Sequence, residues 1–143
     1  MTVSDIVNDL AGDWTRKPPA EELAIRNLLA GCKQTLPGDY LSFLRLSNGG
    51  EGELSIKPWW FQMWPAEELV QTNHDYNVQE SIPGFIGFGS SGGGELFAFD
   101  TRTAQPWRVY MIPFITMQKE DAIEVADSFI TFLLAMGRSK NPG

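Results

Sequence analysis

Residues 83–100 have the sequence PGFIGFGSSGGGELFAFD, and this stretch contains the clearest structural pattern in the chain. Pro83-Gly84 favours a turn. The apolar runs 85–88 and 96–99 are rich in phenylalanine, which favours strands, and the glycine-rich segment 89–94 lies between them. The sequence therefore predicts two strands of a hairpin joined by a glycine-rich loop.

More strands are predicted on both sides of this hairpin. Leu54 and Ile56 alternate with polar neighbours, and the aromatic run at 59–64 is typical of a strand. After a turn at 100–106, residues 107–111 form the next apolar run. The sheet that these segments predict is meandering and mainly antiparallel.

Two helices are predicted before the strands. Pro18 and Pro19 precede an acidic helix start, and an apolar stripe follows at i, i+3, i+4 and i+7, formed by Ile25, Leu28, Leu29 and Cys32. A second helix begins near Pro37 and ends before the glycines at 49–50. Its apolar face contains Tyr40, Phe43 and Leu44. We expect the two helices to form a hairpin.

Two further helices follow from similar signals. Pro65 and the acids after it favour a helix start, with Leu69 and Tyr76 as the inward positions. The last helix has Asp127 or Ser128 as its cap and Gly137 at its end. Its inward positions are Phe129, Phe132, Leu133 and Met136.

Helices at the start, strands in the middle and a closing helix predict an α+β fold. In this prediction the N-terminal helical hairpin and the C-terminal helix pack on one face of the mainly antiparallel sheet. A length of 143 residues suits a single domain, 1–143, with a core over about 20–136. We expect a short N-terminal segment and a loose tail over 138–143.

The composition excludes several classes of protein. With 18 acidic against 11 basic residues, the net charge of −7 disfavours binding to nucleic acid or to an anionic membrane surface. No apolar run is long enough to cross a bilayer, and residues 1–10 lack the pattern of a secretory signal. A single cysteine and a single histidine exclude an internal disulfide and a Cys/His zinc site. We expect a cytoplasmic protein.

Three motif matches fail on their context. Residues 87–92 match G-x-G-x-x-G, but a strand is predicted after them where a dinucleotide site needs a helix. Ser91 lies in a G-x-S-x-G pattern, but the only histidine, His74, precedes it, which disagrees with the order of the hydrolase motif. Residues 73–77 alternate oxygen donors but lack the glycine and the glutamate of a calcium loop. We therefore expect no enzyme activity, no cofactor and no metal.

The chain has a surplus of aromatic residues, including five tryptophans. Since neighbouring residues of a strand point to opposite faces, Trp59 and Trp60 cannot both enter one core. Exposed tryptophan beside Glu51, Glu53 and Glu95 has the composition of a protein-binding hot spot, so we predict these five residues as contacts with a protein partner. The alternative is that the neighbouring helix and the Pro65 turn cover both tryptophans.

The order and spacing of these elements resemble the SMI1/KNR4 family of the SUKH superfamily over about residues 20–136. The matching elements are Leu36-Pro37, Tyr40, Phe43-Leu44, Asn48-Gly49-Gly50, Pro83-Gly84-Phe85-Ile86, Phe88-Gly89-Ser90, Gly93-Gly94-Glu95, Phe99-Asp100, Ser128-Phe129 and Phe132-Leu133.

This resemblance implies a domain without enzymatic activity that binds proteins. Bacterial members are regarded as immunity proteins that neutralise polymorphic toxins, often nucleases, whereas fungal relatives act as interaction hubs. A basic toxin domain is therefore the expected partner. A housekeeping adaptor that binds an endogenous protein is the alternative, and the oligomeric state stays open.

Overall fold

The computed structural model describes residues 2–9 and 14–136, and its central feature is one antiparallel sheet. The strands follow each other in chain order, so each strand pairs with its neighbours in sequence. Their bounds are β1 (Trp14–Arg16), β2 (Gly50–Glu53), β3 (Trp60–Met63), β4 (Phe85–Ser90), β5 (Glu95–Asp100), β6 (Val109–Pro113) and β7 (Ile123–Ala126). This is the meander that the sequence predicts, and it is consistent with an α+β fold.

Helices occur before, within and after this meander. They are α1 (Val3–Asn8), α2 (Glu22–Gly31), α3 (Gly38–Leu44), α4 (Leu69–Asp75), α5 (Val78–Ser81) and α6 (Phe129–Leu133), with a 3-10 turn at Lys119–Asp121. Side-chain caps begin two of them. Thr2 and Asp5 form a reciprocal capping box on α1, and the Ser128 hydroxyl accepts the Thr131 N–H at 3.2 Å on α6.

The larger of two apolar clusters packs α1, α2, α3 and α6 against one face of the sheet. Aromatic rings meet edge to face there, with centroids 4.9 Å apart for Phe61 and Phe132 and 5.1 Å apart for Phe61 and Phe97. All four predicted inward positions at the C-terminus, Phe129, Phe132, Leu133 and Met136, are buried. The C-terminal helix therefore packs on the sheet as expected.

The prediction that the helices cover only one face is wrong. A second, smaller cluster lies on the other face, where Val78 and Ile82 pack on Leu96 and Ile112. Both faces of β4 to β6 are thus covered, because their apolar runs offer side chains on both sides. Neither of these two clusters covers the other face of β1 to β3.

The expected N-terminal helical hairpin is not confirmed. Helix α3 packs against α1 and α6, whereas α2 packs against α4. Within the predicted stripe, Ile25 and Leu28 are buried but Leu29 is 37% exposed, and Cys32 lies beyond the end of α2. The buried residues of α2 are Ala24, Ile25 and Leu28, so its buried face is shifted from the predicted stripe toward Ala24.

Local patterns also misplace several other residues. Tyr76 follows α4 and is 49% exposed, and the buried polar residue Asn73 takes an inward position of that helix. Leu54 forms only an isolated bridge to Met136, and Ile56 lies in the loop between β2 and β3. Strands β1 and β7 were not predicted. The predicted tail at 138–143 and the helix end at Gly137 lie outside the described residues.

Candidate functional site

The uncovered face of β2 and β3 brings together three predicted site residues. Cross-strand partners lie on the same face of a sheet, and Glu51 pairs with Gln62 while Glu53 pairs with Trp60. The Gln62 Nε2 donates to Glu51 Oε2 at 2.9 Å, which orients that carboxylate. We call Glu51, Glu53, Trp60 and Gln62 the acidic face.

Both tryptophans are partly exposed, so the alternative that both are fully covered is excluded. Trp59 and Trp60 are each 38% exposed. The alternation argument applies to Trp60 alone, because Trp59 precedes β3 and has a φ of 74°. A positive φ takes Trp59 out of the regular strand geometry. Gly92 lies against Trp60, since a Cβ at Gly92 would be 3.2 Å from Trp60 Cδ1.

Glu95 is separated from the acidic face by the sheet itself. Ser90 pairs with both Gln62 and Leu96, so Leu96 shares their face and the adjacent Glu95 points to the other one. The Ser91 hydroxyl donates to Glu95 Oε1 at 2.7 Å. The structure therefore places Glu95 at the β4–β5 turn. Its side chain lies on the side of the sheet opposite to the acidic face.

A groove of about 750 Å³ borders the acidic face, and sequence reasoning missed it. Its charged lining consists of Lys17, Glu21, Glu51, Glu67 and Glu68. Among residues 2–9 and 14–136, none of the three ion pairs includes one of these carboxylates. The groove therefore carries an excess of negative charge that a cationic group on a partner can neutralise.

One wall of the groove is held by Asn48. Its Oδ1 accepts the Ala66 N–H at 2.7 Å, and its Nδ2 donates to Glu67 Oε1 at 2.8 Å. The backbone N–H of Asn48 donates to the Pro18 carbonyl at 2.9 Å. Asn48 thus ties the helix-to-sheet turn to the start of the next helical segment and positions one carboxylate of the groove.

Ser91, His74 and Cys32 have side chains of the types that occur in active sites. The Ser91 hydroxyl donates to Glu95 and accepts the Gly93 N–H at 3.2 Å, which stabilises the turn of a β-hairpin. His74 is exposed on α4. Burial raises the pKa of the Cys32 thiol, which lowers its reactivity.

The described part of the chain shows neither a metal-binding cluster nor a membrane-crossing helix. No three or more histidine, cysteine, aspartate or glutamate side chains are grouped there so that they could hold a metal ion. Among the same residues, no helix combines the length and the apolarity that a bilayer crossing needs.

The sequence contained a partial signal for this site. The residue types of the acidic face were visible, but Gln62 and the groove carboxylates Glu21, Glu67 and Glu68 were not singled out. Finding them requires the β2–β3 register and the position of the segment around Pro65, and both depend on contacts between residues far apart in the chain.

These features define an α+β domain with a meandering antiparallel sheet and an acidic, partly aromatic outer face. Residues 19–135 match the model of the SMI1 / KNR4 family (SUKH-1), and since this covers most of the chain, the protein belongs to that family. The family resemblance seen in the sequence is therefore confirmed. Among curated proteins, none matches the chain significantly.

Proposed function

We propose that the chain is a non-enzymatic protein-binding domain that captures a basic protein, and that it acts as an immunity protein against a polymorphic toxin. The single observation that carries the proposal is the acidic face with its adjoining groove. There, Glu51, Glu67 and Glu68 line the groove without an ion-pair partner among the described residues, and the partly exposed Trp60 lies opposite Glu53 on the acidic face.

Charge and aromatic surface have separate roles in this proposal. The carboxylates accelerate the encounter with a positively charged partner, and this effect weakens as salt screens the charges. The indole of Trp60 supplies apolar area at the centre of the contact, which slows dissociation. A nuclease toxin presents a positive surface to its substrate, so an acidic face can block that surface by resembling a polyanion.

The carboxylates can act together because their positions are constrained. Glu51 is oriented by Gln62 and Glu67 by Asn48, so neither needs to lose much conformational freedom on binding. Arginine is the cation that best fits two carboxylate oxygens, because its guanidinium donates in a planar fork. We therefore expect arginine side chains of the partner to enter the groove.

The test is binding to the toxin domain encoded next to this gene, with stopped-flow association rates measured over a series of salt concentrations. Glu53→Lys should lower the association rate about tenfold at low salt and reduce its salt dependence. The matched control is Glu80→Lys, which changes the net charge equally on the exposed surface of α5. An association rate that ignores both salt and Glu53→Lys would refute the charge argument.

A cell-based assay separates this function from an adaptor role. Cells that produce the toxin domain should survive when they also produce this chain, and protection should weaken with Glu53→Lys. If the chain binds an endogenous protein and gives no protection, its function is that of a housekeeping adaptor.

A further inference from the structure

Three loops meet at one end of the sheet. Strand β3 begins there at Trp60, β4 ends there at Ser90 and β6 ends there at Pro113, so the segments 54–59, 91–94 and 114–122 lie side by side. The chain after α6 joins them, because the Ser55 N–H donates to the Ala135 carbonyl at 3.0 Å. We call these three segments the loop end.

The loop end collects most of the exposed large apolar side chains. Nine such side chains occur among residues 2–9 and 14–136, and six of them lie in the loop end or next to it. These six are Trp59, Trp60, Tyr76, Ile115, Ile123 and Leu134. Single exposed apolar residues are ordinary, but their concentration at one end of a protein indicates an interaction surface.

Direct contacts connect the acidic face to the far side of this end. Gly92 lies against Trp60, and two residues further on the Gly94 carbonyl accepts the Phe114 N–H at 2.8 Å. The Phe114 ring then packs on Tyr76, with a centroid distance of 4.6 Å. The glycine-rich turn thus lies between two aromatic groups.

Ile115 projects from this surface on a firmly held turn. Its side chain is 95% exposed, although both of its flanks are anchored. The Met117 N–H donates to the Pro113 carbonyl at 2.8 Å, and the Met117 side chain is buried in the second core cluster. An apolar group held in place in this way loses little freedom when a partner covers it.

We infer that Ile115, together with the ring pair that its chain neighbour Phe114 forms with Tyr76, is the apolar anchor of the interface with the basic partner. The inference rests on the proposed function and extends its site from the acidic face to the loop end. Within the three segments Glu120 and Asp121 balance Lys57 and Lys119, and the flanking Glu53 and Glu95 add the net negative charge that fits the same partner. The occupant is therefore a basic folded protein with an apolar pocket or patch at its contact surface.

The first experiment identifies what Ile115 touches. The full chain carries the photo-crosslinker p-benzoylphenylalanine in place of Ile115, of Trp60 or of Leu23. It is produced in cells that also produce the toxin domain encoded next to this gene, and the adducts are identified by mass spectrometry. Leu23 is the matched control, since it is 59% exposed on α2 and outside the loop end. We expect positions 115 and 60 to give adducts with the same basic protein, and position 23 to give none.

The second experiment measures affinity with the purified protein from that adduct. Ile115→Asp should weaken binding at least about 30-fold, as for a hot-spot residue, while Leu23→Asp should change it less than about threefold. Both variants should keep the thermal unfolding midpoint of the parent, because neither side chain is buried.

Each other outcome decides between the two proposals. A basic partner that crosslinks from position 60 but not from 115, or that tolerates Ile115→Asp, overturns the anchor and leaves the proposed function in place. If neither position yields a basic protein, the proposed function fails and the anchor fails with it. An adduct between two copies of this chain at position 115 assigns the loop end to self-association and also overturns the inference.

Discussion

Replacing Asn73 by alanine should destabilise the fold strongly, because this buried side chain hydrogen-bonds α4 to the sheet. Asn73 is 4% exposed. Its Nδ2 donates to the carbonyls of Leu69 and Gly87, both at 2.8 Å, and its Oδ1 accepts the Gly87 N–H at 2.8 Å. The β3 side reaches β4 as far as Phe88, whose carbonyl accepts the Trp64 N–H at 3.1 Å, so Asn73 supplies the hydrogen bonds to Gly87 that a longer β3 would make.

The magnitude follows from the groups that would lose their partner. Asn73→Ala leaves the buried N–H and C=O of Gly87 unpaired, at a cost of about 1–3 kcal/mol each. Alanine returns about 0.7 kcal/mol through its higher helix propensity. We therefore expect the free energy of unfolding to fall by about 3 kcal/mol, a large part of the roughly 5–15 kcal/mol typical of a domain.

Urea-induced unfolding followed by far-UV circular dichroism measures this change. The matched control is Gln79→Ala, because the exposed Gln79 donates to Asn73 and to Phe85 but leaves the Gly87 pairing intact. It should cost less than about 1 kcal/mol. If Asn73→Ala also costs less than about 1 kcal/mol, the hydrogen bonds to Gly87 do not hold α4 in place and the reasoning is wrong.

Three further predictions use the same unfolding assay. Tyr40→Phe should leave the free energy of unfolding unchanged or raise it by up to about 1 kcal/mol, since the buried hydroxyl has no hydrogen-bond partner in the described part of the chain. A decrease of more than about 2 kcal/mol would contradict this prediction. Hydrogen bonds from Arg102 hold the pKa of Asp100 below its usual range, so their stabilisation is complete above about pH 4 and is lost as the pH falls through the lowered pKa. Asp100→Asn should therefore cost about 1–2 kcal/mol at pH 7 and less at pH 2, whereas an equal cost at both values would show that the ion pair is irrelevant. Gly50→Ala should lower the free energy of unfolding by more than about 2 kcal/mol, because Gly50 has a φ of 130° and the new Cβ would lie 2.7 Å from the backbone of β1. The control is Gly93→Ala, which should be nearly neutral because the nearest atom to its new Cβ is 3.7 Å away.

The elements predicted well have local signals that agree with their environment. The β4–β5 hairpin combines apolar runs with a glycine-rich turn, and α6 combines a serine cap with a regular apolar stripe. Strand β1 has only three residues and no periodicity of its own, so it exists because β2 offers an edge to pair with. Short edge strands of this kind are invisible to patterns within one segment.

The candidate site was predictable in composition but not in arrangement. The sequence pointed to Glu51, Glu53, Trp59, Trp60 and Glu95 as a group. The β2–β3 register joins Glu51, Glu53 and Trp60 on one face, whereas alternation along β5 directs Glu95 to the other face. The groove was missed for a related reason, since its wall is built by Asn48 across a long separation in sequence.

By itself the sequence determined the family, the antiparallel meander, the main aromatic core and the acidic character of the protein. The family follows from the resemblance of the ordered motifs to its members, whereas the other properties follow from composition, from periodicity within single segments and from the order of turns. Only the tertiary structure decided which residues share a face, that α2 packs on α4, and that the loop end gathers exposed apolar side chains around Ile115. Those outcomes depend on pairing and packing between distant segments, because a side chain's burial is set by what covers it.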